Sequence, residues 1–261
     1  MSDRWCAVRQ TGREWIAEFR SLTQTEGSTM YYLALLIGPE RARTPEEGAQ
    51  EMVEYQNFHA KAASAIHAGD ALFPVAEGVR ISGAPDARVI TDGPFAEGAE
   101  VAGGYYVLEA ENLDDALTLA RDIPEAKHGA VEVWPLIHCS QEFDGQGATN
   151  WLALLIEPRD EALLPGTPEW EAVADKHGAF RTRAGDHIKL AGPLHPPSTA
   201  TTVRVRDGEV LLTDGPYIEG AEIANGFYVL TTDDRDQAIE LAAHLPASTV
   251  ELRQLTGVSG L

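Results

Sequence analysis

The 261-residue sequence predicts an α+β protein made of two copies of one unit, with their sheets packed face to face. Three observations carry that prediction. Thr91–Leu108 reads TDGPFAEGAEVAGGYYVL and Thr213–Leu230 reads TDGPYIEGAEIANGFYVL, with 13 of 18 positions identical at a spacing of 122 residues. The run LALLI occurs at Leu33–Ile37 and again at Leu152–Ile156, 119 residues on. Around both copies the same order of strand and helix signals recurs, which marks a duplicated unit.

Each copy opens on an apolar run, Tyr31–Ile37 or Asn150–Ile156. These runs are too short for helices and lack polar alternation, so they read as strands covered on both faces. Helix starts follow at Thr44-Pro45-Glu46-Glu47 and Thr167-Pro168-Glu169. A threonine hydroxyl accepts from free N–H groups of the first turn, and proline suits the first helical position. Glu47 completes a capping box where the second copy has Trp170. These helices are expected to run to about Ala68 and Ala184, with Gly69 and Gly185 supplying the left-handed turn that ends them. In the second copy Thr202–Arg206, the turn Asp207-Gly208 and Glu209–Thr213 read as a hairpin. Another strand covers Tyr105–Glu109 or Phe227–Thr231. Second helices start near Asn112 and Asp233, where Asp114, Asp115 and Asp234 suit the positive end of the helix dipole. They stop at Ile123-Pro124 and Leu245-Pro246. Val131–Trp134 and Val250–Leu252 are the last strands.

The order strand, helix, strand region, strand, helix, strand is the split βαβ, ferredoxin-like plan, in which both helices cover one face of an antiparallel sheet. The other face would expose apolar side chains of the central strands, at a cost of about 25 cal/mol per Å². The second unit is therefore expected to cover the first, as an intramolecular dimeric α+β barrel. The expected organisation is an extension over 1–29, a first domain over 30–138, a polar linker over 139–149, a second domain over 150–256 and a tail over 257–261. Trp15, Ile16 and Phe19 give the extension one amphipathic turn or two.

Composition narrows the function classes. Hydrophobic residues at 44% suffice for a packed core. The 20 basic and 41 acidic side chains give a net charge of -21, a field that repels phosphate backbones and anionic headgroups. Nucleic-acid and membrane partners are thus disfavoured. No apolar run reaches about 18 residues, and the N-terminus lacks the order of a signal peptide. Cys6 and Cys139 lack metal-ligand spacing and read as reduced thiols of a cytoplasmic protein, one disulfide being the alternative. The chain has no Walker loop, dinucleotide fingerprint, Gly-x-Ser-x-Gly elbow or His-Glu-x-x-His.

The groups able to do chemistry are few. His59 and His177 lie in the first helix of each copy, 10 and 8 residues before Gly69 and Gly185, so the two do not align by that count. A histidine serves as general base when a carboxylate fixes its tautomer, and Asp92 and Asp214 are the candidate partners. Tyr105, Tyr106, Phe227 and Tyr228 sit on central strands, where one of each pair points between the sheets. They serve either the core or the wall of a pocket for a small, flat organic ligand. His187 and His195 flank Ala191-Gly192-Pro193 in the second copy only, so an activity would reside in one half. The Asp-Gly-Pro segments read as turns, in which glycine permits an unusual φ and proline fixes the next. Glu97/Glu100 and Glu219/Glu222 read as solvated loop faces. No metal or cofactor is expected.

The residues Thr91-Asp92-Gly93-Pro94-Phe95, the acidic stretch after them and Gly103-Gly104-Tyr105-Tyr106 resemble the YCII-related family in its DGPF subgroup. Ala200–Thr213, leading into Asp214-Gly215-Pro216-Tyr217, carries the resemblance again, and it extends over nearly all of 30–256 as two tandem domains. It implies a ferredoxin-like fold that pairs into an α+β barrel. It also implies a His–Asp active site, here His177 with Asp214 and His59 with Asp92. One relative is a dehydrochlorinase acting on a chlorinated hydroxyquinol, and DGPF members often neighbour extracytoplasmic-function sigma factors. The usual acidic-Thr-Lys-acidic segment is replaced by Glu97-Gly98-Ala99-Glu100 and Glu219-Gly220-Ala221-Glu222, which removes a cation. Three expectations follow. The first is a small-molecule binding or accessory protein, stress- or sigma-factor-linked. The second is a cofactor-free lyase, isomerase or dehydrochlorinase-like enzyme, and the third an interaction module with an acidic surface. Further oligomerisation of the pseudo-dimer is compatible with each.

Overall fold

The computed structural model describes residues 29–84, 87–94, 100–140, 149–217 and 222–257. The amphipathic extension, Cys6, Glu97, Glu219 and most of the linker and tail lie outside the described residues. The first copy consists of β1 (Met30–Pro39), α1 (Pro45–Ala62), β2 (Ile66–Ala71), β3 (Val79–Ser82), β4 (Val89–Asp92), β5 (Glu100–Ala110), α2 (Leu113–Ala120), α3 (Glu125–His128) and β6 (Ala130–Pro135). The second consists of β7 (Asn150–Pro158), α4 (Pro168–Ala184), β8 (Ile188–Pro193), β9 (Thr201–Arg206), β10 (Glu209–Asp214), β11 (Glu222–Thr231), α5 (Arg235–Ala243) and β12 (Thr249–Gln254). Among the described residues no helix is long and apolar enough to cross a membrane.

Local signals act as the sequence predicts at most element ends. Glu47 N–H donates to Thr44 Oγ1 at 3.2 Å while Thr44 N–H donates to Glu47 Oε2 at 2.8 Å, the expected capping box. Trp170 N–H donates to Thr167 Oγ1 at 3.3 Å. Gly185 ends α4 with φ 53. One expectation fails: α1 stops at Ala62, and Gly69 is a strand residue of β2, opposite Tyr106. A side chain at position 69 would run into the Tyr106 ring, so glycine is needed there for ring packing, not for a helix end.

The strands form two antiparallel six-stranded sheets, β10-β9-β6-β1-β5-β2 and β4-β3-β12-β7-β11-β8. Four strands of each sheet come from one copy in ferredoxin-like order. The outer two are the hairpin of the other copy. The copies have exchanged hairpins: Val203 stands opposite Val131, and Ile81 opposite Val250.

Burial confirms the sheet-on-sheet arrangement. Leu33, Leu35, Tyr105, Val107 and Trp134 of the first copy meet Leu152, Leu154, Leu190, Phe227 and Val229 of the second in one buried core. The alternate residues Tyr32, Ala34 and Leu36 pack against the helix side of the first sheet with Phe58, Ala116 and Ile123. Val203 and Val205, from the borrowed hairpin, join that same core. Val79 and Ile81 do likewise in the second copy, with Phe180, Ala238 and Leu245.

Each borrowed hairpin also brings an arginine to helix-end carbonyls that have no helical partner. Arg88 donates to Ala243 O, Leu245 O and Ala247 O at 3.1, 2.6 and 2.8 Å. Arg206 donates to Ala126 O, Lys127 O and Gly129 O at 2.9, 3.0 and 2.7 Å. The Asp-Gly-Pro turns follow β4 and β10, at the open ends of the hairpins. Gly93 N–H donates to Gly78 O and Gly215 N–H to Ala200 O, and Tyr217 N–H reaches Glu132 Oε1 of the opposite copy at 2.8 Å.

Candidate functional site

The spacing of 122 residues fixes how the copies correspond. Phe58 and Phe180 meet Tyr106 and Tyr228 edge-on, at centroid distances of 5.3 and 5.2 Å. Ala62 and Ala184 are both buried one turn further on. His177 therefore corresponds to Tyr55, and His59 to Arg181. Both histidines still reach the corresponding tyrosine of their own unit. His59 Nε2 lies 2.7 Å from Tyr106 Oη, and His177 Nδ1 lies 3.0 Å from Tyr228 Oη.

In the second unit this pair borders a cavity of about 1020 Å³ between α4 and the sheet beneath it. The helix turns Trp170, Ala174, His177 and Arg181 toward it, residues spaced to share one face. Small residues at 178, 191, 192 and 226 leave the volume open. Leu155 and Ile223 give apolar walls. The first copy contributes as well. Ile137 N–H donates to Pro193 O, and Ser140 N–H to Ala191 O, at 2.9 and 3.0 Å, so the chain leaving β6 runs along β8 and brings His138 into the lining. Gly83 and Ala84 of the borrowed hairpin line it too.

Electrostatics in the cavity are governed by burial. Loss of water, and then the positive charge of Arg181, lower His177 and His138 to about 4 each. Both imidazoles are neutral at pH 7. Burial also lowers His195 and raises the Tyr228 hydroxyl. The Oδ1 of Asn225 is buried without a hydrogen-bond partner among the described residues. Glu157 lines the cavity but is held by the N–H and hydroxyl of Ser248.

The corresponding region of the first unit is built differently. Asp70 stands where the second unit has Gly192; its carboxylate accepts from Ala71 N–H, Thr256 Oγ1 and Gly257 N–H at 2.8, 3.0 and 3.0 Å. Its charge adds to burial in raising Tyr105 and Tyr106. Glu125 reaches in beside Gly38 and Gly129, and burial followed by Glu51 raises it to about 7.

The structure brings neither histidine to the aspartate it was expected to meet. Asp92 ends β4 on the edge of the second sheet and pairs with Arg235 at 2.6 Å, whereas His59 lies over the first sheet. Asp214 ends β10 on the edge of the first sheet and is exposed, whereas His177 lies over the second. Hairpin exchange is the cause, since it carries each Asp-Gly-Pro turn to the opposite unit. The turns themselves do not line the cavity. Of the aromatic residues, Tyr105 and Phe227 point between the sheets, 6.3 Å apart, while Tyr106 and Tyr228 face the helices. His187 Nδ1–H donates to the Thr231 carbonyl oxygen at 2.9 Å, a structural bond. The Cys139 thiol is free, and burial pushes it up to about 12.

Sequence reading missed Arg181, His138, Asn225 and Asp70. The motif spacing, applied to the helix, would have matched Arg181 with His59. His138 carries no local signal, because its place depends on how the chain leaves β6.

The YCII-related domain matches the chain twice, over residues 30–140 and 150–256. An uncharacterized protein of Rhizobium meliloti (strain 1021) is 44% identical over 50 residues, which is 18% of this chain and 40% of that protein. Among solved structures, a mutant chlorite dismutase from Candidatus Nitrospira defluvii in complex with cyanide is similar at TM-score 0.48 and 8% identity, over 93% of this chain and 96% of that one. A second mutant of the same enzyme is similar at TM-score 0.45 and 9% identity, over 92% and 95%.

Proposed function

The chain belongs to the YCII-related family, carrying its domain twice, and on that footing we propose that it binds a small organic molecule in the cavity under α4. The observation that supports this reading most is the cavity itself: about 1020 Å³, with apolar walls and a few convergent polar groups. His177, Tyr228 and Phe227 are the expected site residues that line it. A thermal-shift screen with small phenols and keto acids tests the proposal, because a ligand of the folded state raises its melting temperature. Ligands that stabilise the native chain but not an Ala174→Trp variant, whose new indole takes up the space beside His177, support it. Equal stabilisation of both overturns it.

One observation favours a catalytic second reading. His177 is unprotonated at pH 7, is hydrogen-bonded to Tyr228 and lines the cavity, which places a proton acceptor beside a bound ligand. Hydrogen–deuterium exchange at the α-carbon of a bound keto acid, lost in His177→Gln with binding retained, is the outcome that reading requires.

A further inference from the structure

We propose that the cavity selects an organic monoanion with an apolar body, a carboxylate above all, and that Arg181 is its counter-charge. This rests on the small-molecule reading above and narrows it to a ligand class.

The protein has twice as many acidic as basic side chains. Arg43, Arg80, Arg235, Lys61 and Lys127 are each ion-paired. Arg181 is half-buried and lines the cavity, yet among the described residues it forms no ion pair and no side-chain hydrogen bond. A guanidinium cannot shed its charge, and its fork matches the two oxygens of a carboxylate. The other charges on the lining do not fill that role. Lys176 and Glu161 are exposed, and Glu157 is occupied by Ser248. The imidazoles of His138 and His177 are neutral, so Arg181 is the permanent charge at depth among the described lining residues. The apolar walls, including Trp170, Leu155 and Ile223, suit a ring system attached to the anionic group.

The first unit supplies an internal contrast. There the Arg181 position is His59, and the Gly192 position is Asp70, a buried carboxylate that repels an anion. One site per chain follows.

The test uses the full chain and two fluorescent probes of matched shape, 2-naphthoate and 2-naphthamide, titrated by calorimetry and fluorescence. The acid is expected to bind one per chain and about tenfold or more tighter than the amide, the factor a single well-placed charge pair supplies. Arg181→Gln should remove that preference by weakening the acid alone, and Arg181→Lys should restore part of it. Thermal unfolding of both variants establishes that they are folded. Equal affinity for acid and amide, equal loss of both in Arg181→Gln, or two acids per chain overturns the proposal. Binding of the amide without the acid ends the anion claim but leaves the cavity reading standing. Binding of neither probe ends both.

Discussion

At the scale of single residues, burial decides which groups titrate where. His177 and His138 hold no proton above about pH 4 in the fold, whereas an unfolded histidine binds one below about 6.5. Between those values the unfolded chain takes up protons that the folded chain refuses, so stability rises with pH there and is lost as pH falls. Glu125 has the opposite sign. It keeps its proton to about 7 in the fold and releases it near 4.5 when unfolded, so its contribution is lost as pH rises. Urea titrations at pH 5, 6 and 7 should therefore show a flatter rise for His177→Gln than for the native chain, by up to about 1.4 kcal/mol per pH unit. For Glu125→Gln the rise should be steeper. Equal slopes for all three proteins would contradict the burial argument. Gly69→Ala forces a methyl group against the Tyr106 ring. It should cost about 1–3 kcal/mol in the same titrations, the usual penalty of overpacking.

At the scale of elements, the exchanged hairpins are held by two arginines that satisfy helix-end carbonyls of the opposite unit. Arg88→Ala leaves carbonyls of the α5 end without donors, and a loss of about 1–3 kcal/mol is expected in chemical unfolding. Arg88→Lys should recover only part of it, because an ammonium lacks the planar fork. The elements themselves were largely legible in the sequence. Short apolar runs, threonine caps and Ile-Pro or Leu-Pro stops are local devices, and their outcome hardly depends on distant partners. β2 was not legible, because alanines at 60, 62, 63, 65 and 68 carry the helical pattern into it and Gly69 reads as the end of a helix. Only the demand of Tyr106 for a glycine neighbour shows Gly69 to be a strand residue.

At the scale of the whole molecule, the duplication and the covered sheet faces could be inferred from one-dimensional signals, since apolar residues on both sides of Leu33–Ile37 require two covering layers. The partner of each hairpin could not. Thr201–Arg206 would pair equally well, by its own sequence, with β12 or with β6, and the two copies present nearly the same strand to it. The same ambiguity separated the expected His–Asp pairs and hid His138. The consequence for function is that the cavity belongs to neither copy alone: α4, β8 and β11 come from the second, His138 and Gly83 from the first. Hairpin exchange is thus the central claim. It is tested by oxidising two double-cysteine variants in a chain whose Cys6 and Cys139 are replaced by serine, and mapping intrachain cross-links by mass spectrometry. Ser82 stands opposite Thr249, so S82C/T249C should cross-link and S82C/A130C should not. Cross-linking of S82C/A130C, with none between positions 82 and 249, would place the hairpin in its own unit and contradict the interlocked barrel.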